Sequence, residues 1–161
     1  MKDAFGRIVE SGTAAVDGLT PDQLTHRVGP EANTIAWLVW HTARVQDDHI
    51  AEVAGTDQVW TGQGFAEKFG LPFDDQATGY GHSSEQVGQV VATAEQLTAY
   101  LTATHEATLA FLDRVGEDDL DRVVDERWDP PVTLGVRLVS VVNDNTQHVG
   151  QAAYVRGLLP E

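Results

Sequence analysis

Two histidines and an aspartate are the residues of this chain best suited to do chemistry. Asp144 and His148 stand four apart in VVNDNTQHVGQ, so on a helix both side chains leave from one face. His41 lies far upstream in TIAWLVWHTARVQ, a second stretch with helical spacing. Two neutral imidazoles and one carboxylate form a borderline-soft donor set with room left for water or substrate, as in catalytic metal sites; structural zinc sites are usually closed by four protein ligands. Spacing alone favours a buried, hydrogen-bonded His–Asp pair to which His41 is unrelated, because D-x-x-x-H occurs by chance in many helices. His49, His82, His26 and His105 are weaker donors. His49 reaches the pocket edge at best, His82 stands at a helix start from which it could close over a site although such a residue is more often only loop, and His105 is expected to face solvent.

Four stretches with helical periodicity must position these residues. The first covers roughly residues 2–17, with Phe5, Ile8, Val9 and Ala15 as its apolar contacts, and ends near Gly18. A short turn follows, with Thr20 as N-cap and Pro21 at the first helical position. The second helix begins after Gly29-Pro30 and runs to Ala54-Gly55, with Ile35, Leu38, His41, Val45 and Asp48 on one stripe. A long Gly-rich connection then holds a short helix in WTGQGFAEKFG, pinned by Trp60, Phe65, Phe69 and Phe73. The third helix opens at Ser84 and is expected to run unbroken to Val115, with Val87, Val90, Val91, Leu97, Leu101 and Leu112 on its inner stripe. GEDDLDR reads as a turn and short helix. VVDERWDPPV reads as extended, because the residue before a proline is pushed out of the helical region. The last helix spans Thr133 to Gly157 and puts Val141, Asp144, His148 and Gln151 or Ala152 on one stripe, facing the interior. The fold class that follows is all-α: an antiparallel four-helix bundle with a long loop between helices 2 and 3, in a single domain over residues 1–161.

Composition narrows the function. The 161 residues are 42% hydrophobic, enough for one proper core. No apolar run is long enough to span a membrane, and MKDAFGRIVESG lacks the apolar core of a signal peptide, so the cytoplasm is the expected location. Twenty-five acids against 10 bases give a formal charge of −15, which opposes binding to nucleic acid. There is no cysteine, so any metal must be held by nitrogen and oxygen, and any thiol chemistry must use a thiol brought as cosubstrate.

The segment NTIAWLVWHTARVQDDHI resembles the second helix of DinB-like proteins, which include the bacillithiol- and mycothiol-dependent S-transferases. NDNTQHVGQAAYVRGLL resembles their last helix, where the usual pattern is H-x-x-x-H followed closely by G-Q. Asp144 stands where that pattern has its first histidine, so the set is similar to the His-acid-His zinc site of mycothiol-dependent maleylpyruvate isomerases. Carried over residue by residue, the resemblance implies His41, Asp144 and His148 as metal ligands. Zinc is the first choice, with nickel, iron(II) or manganese as alternatives.

The function this implies is a metal-dependent S-transferase or isomerase. It would use mycothiol or another low-molecular-weight thiol, activated by the metal, against a small electrophile. The alternatives are a metal-dependent hydrolase of a small substrate and a non-catalytic stress-response bundle that binds metal or ligand. Arg44, one turn after His41, is a candidate contact for a substrate carboxylate or equally a surface salt-bridge partner, and Trp37, Trp40 and Trp128 are candidate pocket walls, at least two of them expected to be ordinary core residues. Gln147 and Gln151 are candidate partners that orient His148, while Tyr154 and Arg156 read as structural or interfacial. Bundles of this family often pair through helix faces, which makes a homodimer the expected assembly.

Overall fold

Side chains mark where the helices begin. Thr20, Ser83 and Thr93 each accept from the backbone N–H three residues on, and Gln23, Gln86 and Gln96 return the bond to the cap. Thr34 and Thr133 cap in the same way, through Trp37 N and Val136 N. Each such cap is worth about 1 kcal/mol.

The computed structural model describes residues 1–160. Their elements in order are α1 (Lys2–Val16), α2 (Pro21–Leu24), α3 (Ile35–Ala54), α4 (Val59–Gly62), α5 (Phe65–Phe69), α6 (Ser84–Gly88), α7 (Ala94–Leu112), a 3-10 turn (Glu117–Asp121), β1 (Val123–Asp125), β2 (Val132–Thr133) and α8 (Leu134–Arg156). α1 and α3 each lie against both α7 and α8. β1 and β2 pair antiparallel as a small hairpin, which accounts for the extended reading of that segment. None of the described helices is long and apolar enough to cross a membrane.

The core has two parts. Trp37, Leu38, Trp40, Leu97, Tyr100 and Leu101 pack with the loop aromatics Trp60, Phe65 and Phe69 at one end. Phe5, Ile8, Ile50, Phe111, Leu138 and Val141 pack at the other. The loop aromatics thus do the pinning expected of them, although they sit on two short helices rather than one.

Three expectations need correcting. The third helix is broken: α6 ends at Gly88 and α7 starts afresh at Ala94, because Thr93 and Gln96 form a capping box inside the expected run. Val91, placed on the inner stripe by periodicity, is consequently exposed. The second long helix begins at Ile35, later than Gly29-Pro30 suggests, where Thr34 supplies the cap. Finally, the fully buried stripe of α8 is Leu134, Leu138, Val141, Asn145, Val149 and Ala152. Asp144 and His148 lie one position ahead of Asn145 and Val149, so they are half-buried at the edge of the interior.

Candidate metal centre

α3 and α8 pack side by side, and this brings His41 up to Asp144 and His148. One donor atom from each of the three lies within 4.8 Å of the other two. The register is fixed by a buried polar chain beside the site: Asn145 Nδ2 donates to Gln46 Oε1 (2.9 Å) and Gln46 Nε2 donates to Thr108 Oγ1 (2.8 Å), joining α8, α3 and α7. A rotation of α8 by one residue would break this chain.

Both imidazoles are oriented by carbonyls. His41 Nδ1 is 2.6 Å from the Thr78 carbonyl, and His148 Nδ1 is 2.8 Å from the carbonyl of Asp144. A carbonyl only accepts, so each Nδ1 carries the proton and donates it, and each Nε2 keeps its lone pair for a ligand. Burial pushes the His41 pKa down, with the Thr78 carbonyl opposing; the net direction favours the neutral ring that a metal requires.

Asp144 carries the decisive detail. Its Oδ2 is buried and has no hydrogen-bond partner. The nearest ring nitrogen, His148 Nδ1, is 3.6 Å away, too far for a hydrogen bond, and already donates to the backbone. The self-contained His–Asp pair that spacing also allows is therefore not what forms. An orphaned carboxylate oxygen costs roughly 1–3 kcal/mol or more, and a cation removes that cost directly. Two free Nε2 atoms and one free carboxylate oxygen fit a divalent ion.

The surroundings are aromatic. Trp37 stacks on His41, with ring centroids 4.5 Å apart at 14°, and the His41 and His148 rings meet edge to face at 4.7 Å. His82 comes close enough to accept from Trp37 Nε1 at 3.3 Å and packs on Trp40 and Phe73. Gly79 (φ +95°) lets the loop pass against this wall: a Cβ there would lie 2.8 Å from His41 Nδ1 and 3.0 Å from the Trp40 ring.

Arg44 is not placed for the substrate contact expected of it. Its side chain is 0% exposed, and the guanidinium donates to Ala77 O (3.0 Å), Asp75 O (3.3 Å) and Tyr100 Oη (3.2 Å). It ties down the loop that delivers the Thr78 carbonyl to His41, a role that helix spacing does not reveal. Gln147 donates to Asn143 O and Gln151 is exposed, so neither orients His148; the carbonyl of Asp144 does. Arg156 donates to the carbonyls of Ala14, Ala15 and Asp17 and locks α8 to the end of α1, the structural role expected of it. His105 and His26 lie elsewhere and are half-buried, so His105 does not face solvent fully. Trp128 is 66% exposed, out on the hairpin.

Helices in this order, with a His-acid-His cluster on the seam between the second and last long helices, define a DinB-like helical protein. Residues 2–160 match the mycothiol-S-transferase family, and the chain belongs to it. The chain is also similar to a conserved protein of Enterococcus faecalis known from a crystal structure. The two share 35% identity with a TM-score of 0.91, over 98% of this chain and 93% of that one. No curated protein matches.

Proposed function

We propose that the chain is one domain, an antiparallel four-helix bundle, that transfers a low-molecular-weight thiol to a small electrophile at a divalent metal held by His41, Asp144 and His148. Zinc suits the N2O donor set best, and nickel, iron(II) and manganese are the alternatives. The family's description favours transfer over isomerisation and mycothiol as the thiol. The observation that carries the reading is the buried, partnerless Asp144 Oδ2 facing two imidazoles whose Nδ1 atoms are already used.

A divalent metal held by His41, Asp144 and His148 would supply Lewis acidity, lowering the pKa of a thiol so that thiolate would be available near neutral pH. The protein does the rest. Asp144 offers one negative charge to the ion, and the carbonyls of Thr78 and Asp144 hold both rings in the tautomer that exposes Nε2. Trp37 walls one side of His41 and limits access of water from that direction. In the reaction the thiol gives its proton to solvent, its sulfur forms a bond to the electrophilic carbon, and the bond from that carbon to the leaving group breaks with its electron pair leaving on the departing group.

The test is metal content by elemental analysis, with mycothiol conjugation to a chlorobimane dye followed by fluorescence. Near-stoichiometric metal is expected in the wild type, and His148→Ala is expected to lose both metal and conjugation. Full metal occupancy in His148→Ala would overturn the site. A metal-replete wild type that consumes no thiol would overturn the transferase reading.

A further inference from the structure

We propose that a cleft further along the α3–α8 seam binds the carboxylate of the small molecule whose reacting end lies at the triad; the link to the triad rests on the metal-site reading, the carboxylate site does not. The cleft has a volume of about 440 Å³ and is lined by His49 from α3, Asp125, Arg127 and Trp128 from the hairpin, and Arg137 and Ser140 from α8. It follows the same helix face as the triad. Ser140 precedes Asp144 by one turn and Arg137 by two, roughly 6 and 10 Å along the axis.

What the cleft offers is set by which hydrogen-bonding capacity is left over. Asp125 Oδ1 accepts from Arg127 N (3.0 Å) and Nε (2.8 Å), and Oδ2 accepts from Arg127 Nη2 (2.8 Å) and Arg137 Nη2 (3.0 Å). Four bonds fill a carboxylate, so Asp125 has nothing more to accept. Arg137 Nη1 donates to His49 Nδ1 at 2.7 Å, which places the proton of the neutral imidazole on Nε2. Ser140 Oγ already donates to Val136 O. Besides the lone pairs of Ser140 Oγ, the free groups are donors: Arg127 Nη1 and His49 Nε2–H. One carboxylate between two guanidiniums leaves a net positive charge, in a chain whose formal charge is −15.

Two further acids approach the cluster without lining the cleft. Glu52 is 3.8 Å from Arg137, and Asp48 is 4.0 Å from His49; both face solvent in part, where screening weakens them. Asp125 is only 6% exposed and Arg137 8%, so the positive side of the cluster rests on a buried, rigid base. Trp128 adds a flat indole face, 66% exposed, next to those donors. An exposed guanidinium edge, an imidazole donor and an aromatic surface together select a planar anion with a carbon skeleton: a carboxylate, bound by Arg127 in the forked geometry that guanidinium favours. Anchored there, a substrate of roughly 10 Å would present its other end at the triad, and the anchoring itself would contribute to positioning.

Benzoate and benzamide test this, since they share a ring and differ in charge. Each is titrated into the full-length protein kept in EDTA, so that no metal competes for the anion, and binding is followed by backbone and arginine side-chain NMR shifts. Benzoate is expected to move signals within residues 123–140 and to bind at least about tenfold more tightly than benzamide. Arg127→Gln, at a side chain 77% exposed, is expected to weaken benzoate about tenfold, and Trp128→Ala a few-fold. Equal affinity for the two probes, no response in residues 123–140, or an unaffected Arg127→Gln would each overturn the proposal. Benzoate binding in a protein that takes up no metal would support the cleft while removing the triad. Metal uptake without a benzoate response would remove the cleft alone.

Discussion

Where α3 faces α7, Asp47 receives Val59 N (2.8 Å), Trp60 N (2.7 Å) and the Tyr100 hydroxyl (2.8 Å), with Arg44 3.6 Å away. Where α3 faces α8, Asp144 Oδ2 receives nothing. Both carboxylates border the same helix, and both have basic or ring-nitrogen groups nearby. The first is a finished structure: it caps α4, holds the phenol of Tyr100, whose pKa burial pushes well up, and balances the buried charge of Arg44. The second is unfinished, and its two neighbouring rings have their Nδ1 atoms turned to carbonyls so that nothing in the protein completes it. A folded chain keeps an acid unsatisfied at a cost in stability, so the difference separates an acid that builds the fold from one available to a ligand.

The largest expected effect breaks the finished side. Asp47→Ala strands two backbone amides, a buried phenol and a fully buried guanidinium, and is expected to lose about 3–5 kcal/mol in denaturant unfolding. Asp144→Ala, measured without metal, is expected to lose no stability and to gain up to about 1–3 kcal/mol, because it removes a buried oxygen that has no partner. Equal losses in the two variants would erase the distinction.

A smaller effect sharpens the comparison at the loop joining the two regions. Arg44, on the finished side, holds the carbonyls of Asp75 and Ala77, and the same loop brings Thr78 O to His41. Gly79→Ala would force a left-handed backbone on a residue with a Cβ and press that Cβ within 2.8 Å of His41 Nδ1. The strain is worth roughly 1–3 kcal/mol, and displacement of the loop is expected to weaken metal affinity about 10–100-fold. Competition against a chromophoric chelator measures this; unchanged affinity would show that the loop does not hold His41 in place.

Much of this is legible in the residues themselves. Thr20-Pro21, the apolar stripe of α1 and the limits of α8 follow from cap and periodicity rules, whereas joining His41 to Asp144 and His148 takes the family resemblance as well as residue type. The misses share one physical origin: polar side chains acting on distant backbone. Arg44 looks like a free cation on a helix, yet its partners are carbonyls more than thirty residues on. Asn145 is fully buried through Gln46, a partner about a hundred residues away that spacing along α8 does not reveal, so Asp144 and His148 are read as the inward polar positions in place of Asn145 and Val149. Thr93 and Gln96 spell a helix start within an apolar run, and the run hides it.

The hairpin offers a third carboxylate on which to test the contrast, and the weakest effect. Asp125 is finished like Asp47, but by Arg127, which is itself exposed. Hydrogen bonds from Arg127, reinforced by the charges of Arg127 and Arg137, hold the Asp125 carboxyl well below its ordinary value of 3.8. A depressed acid pKa contributes stability that is fully present above the unfolded value and is lost as pH falls through the folded one. Arg127→Gln is therefore expected to be modestly less stable than wild type at pH 6, with a gap that stays constant down to about pH 5 and narrows as pH drops below 3.8. Urea unfolding of both proteins across that range reads the gap directly. Convergence would mark Asp125 as an acid satisfied within the fold; a gap independent of pH would assign the effect of Arg127 to packing of the hairpin, and leave Asp47 as the lone finished carboxylate of the pair.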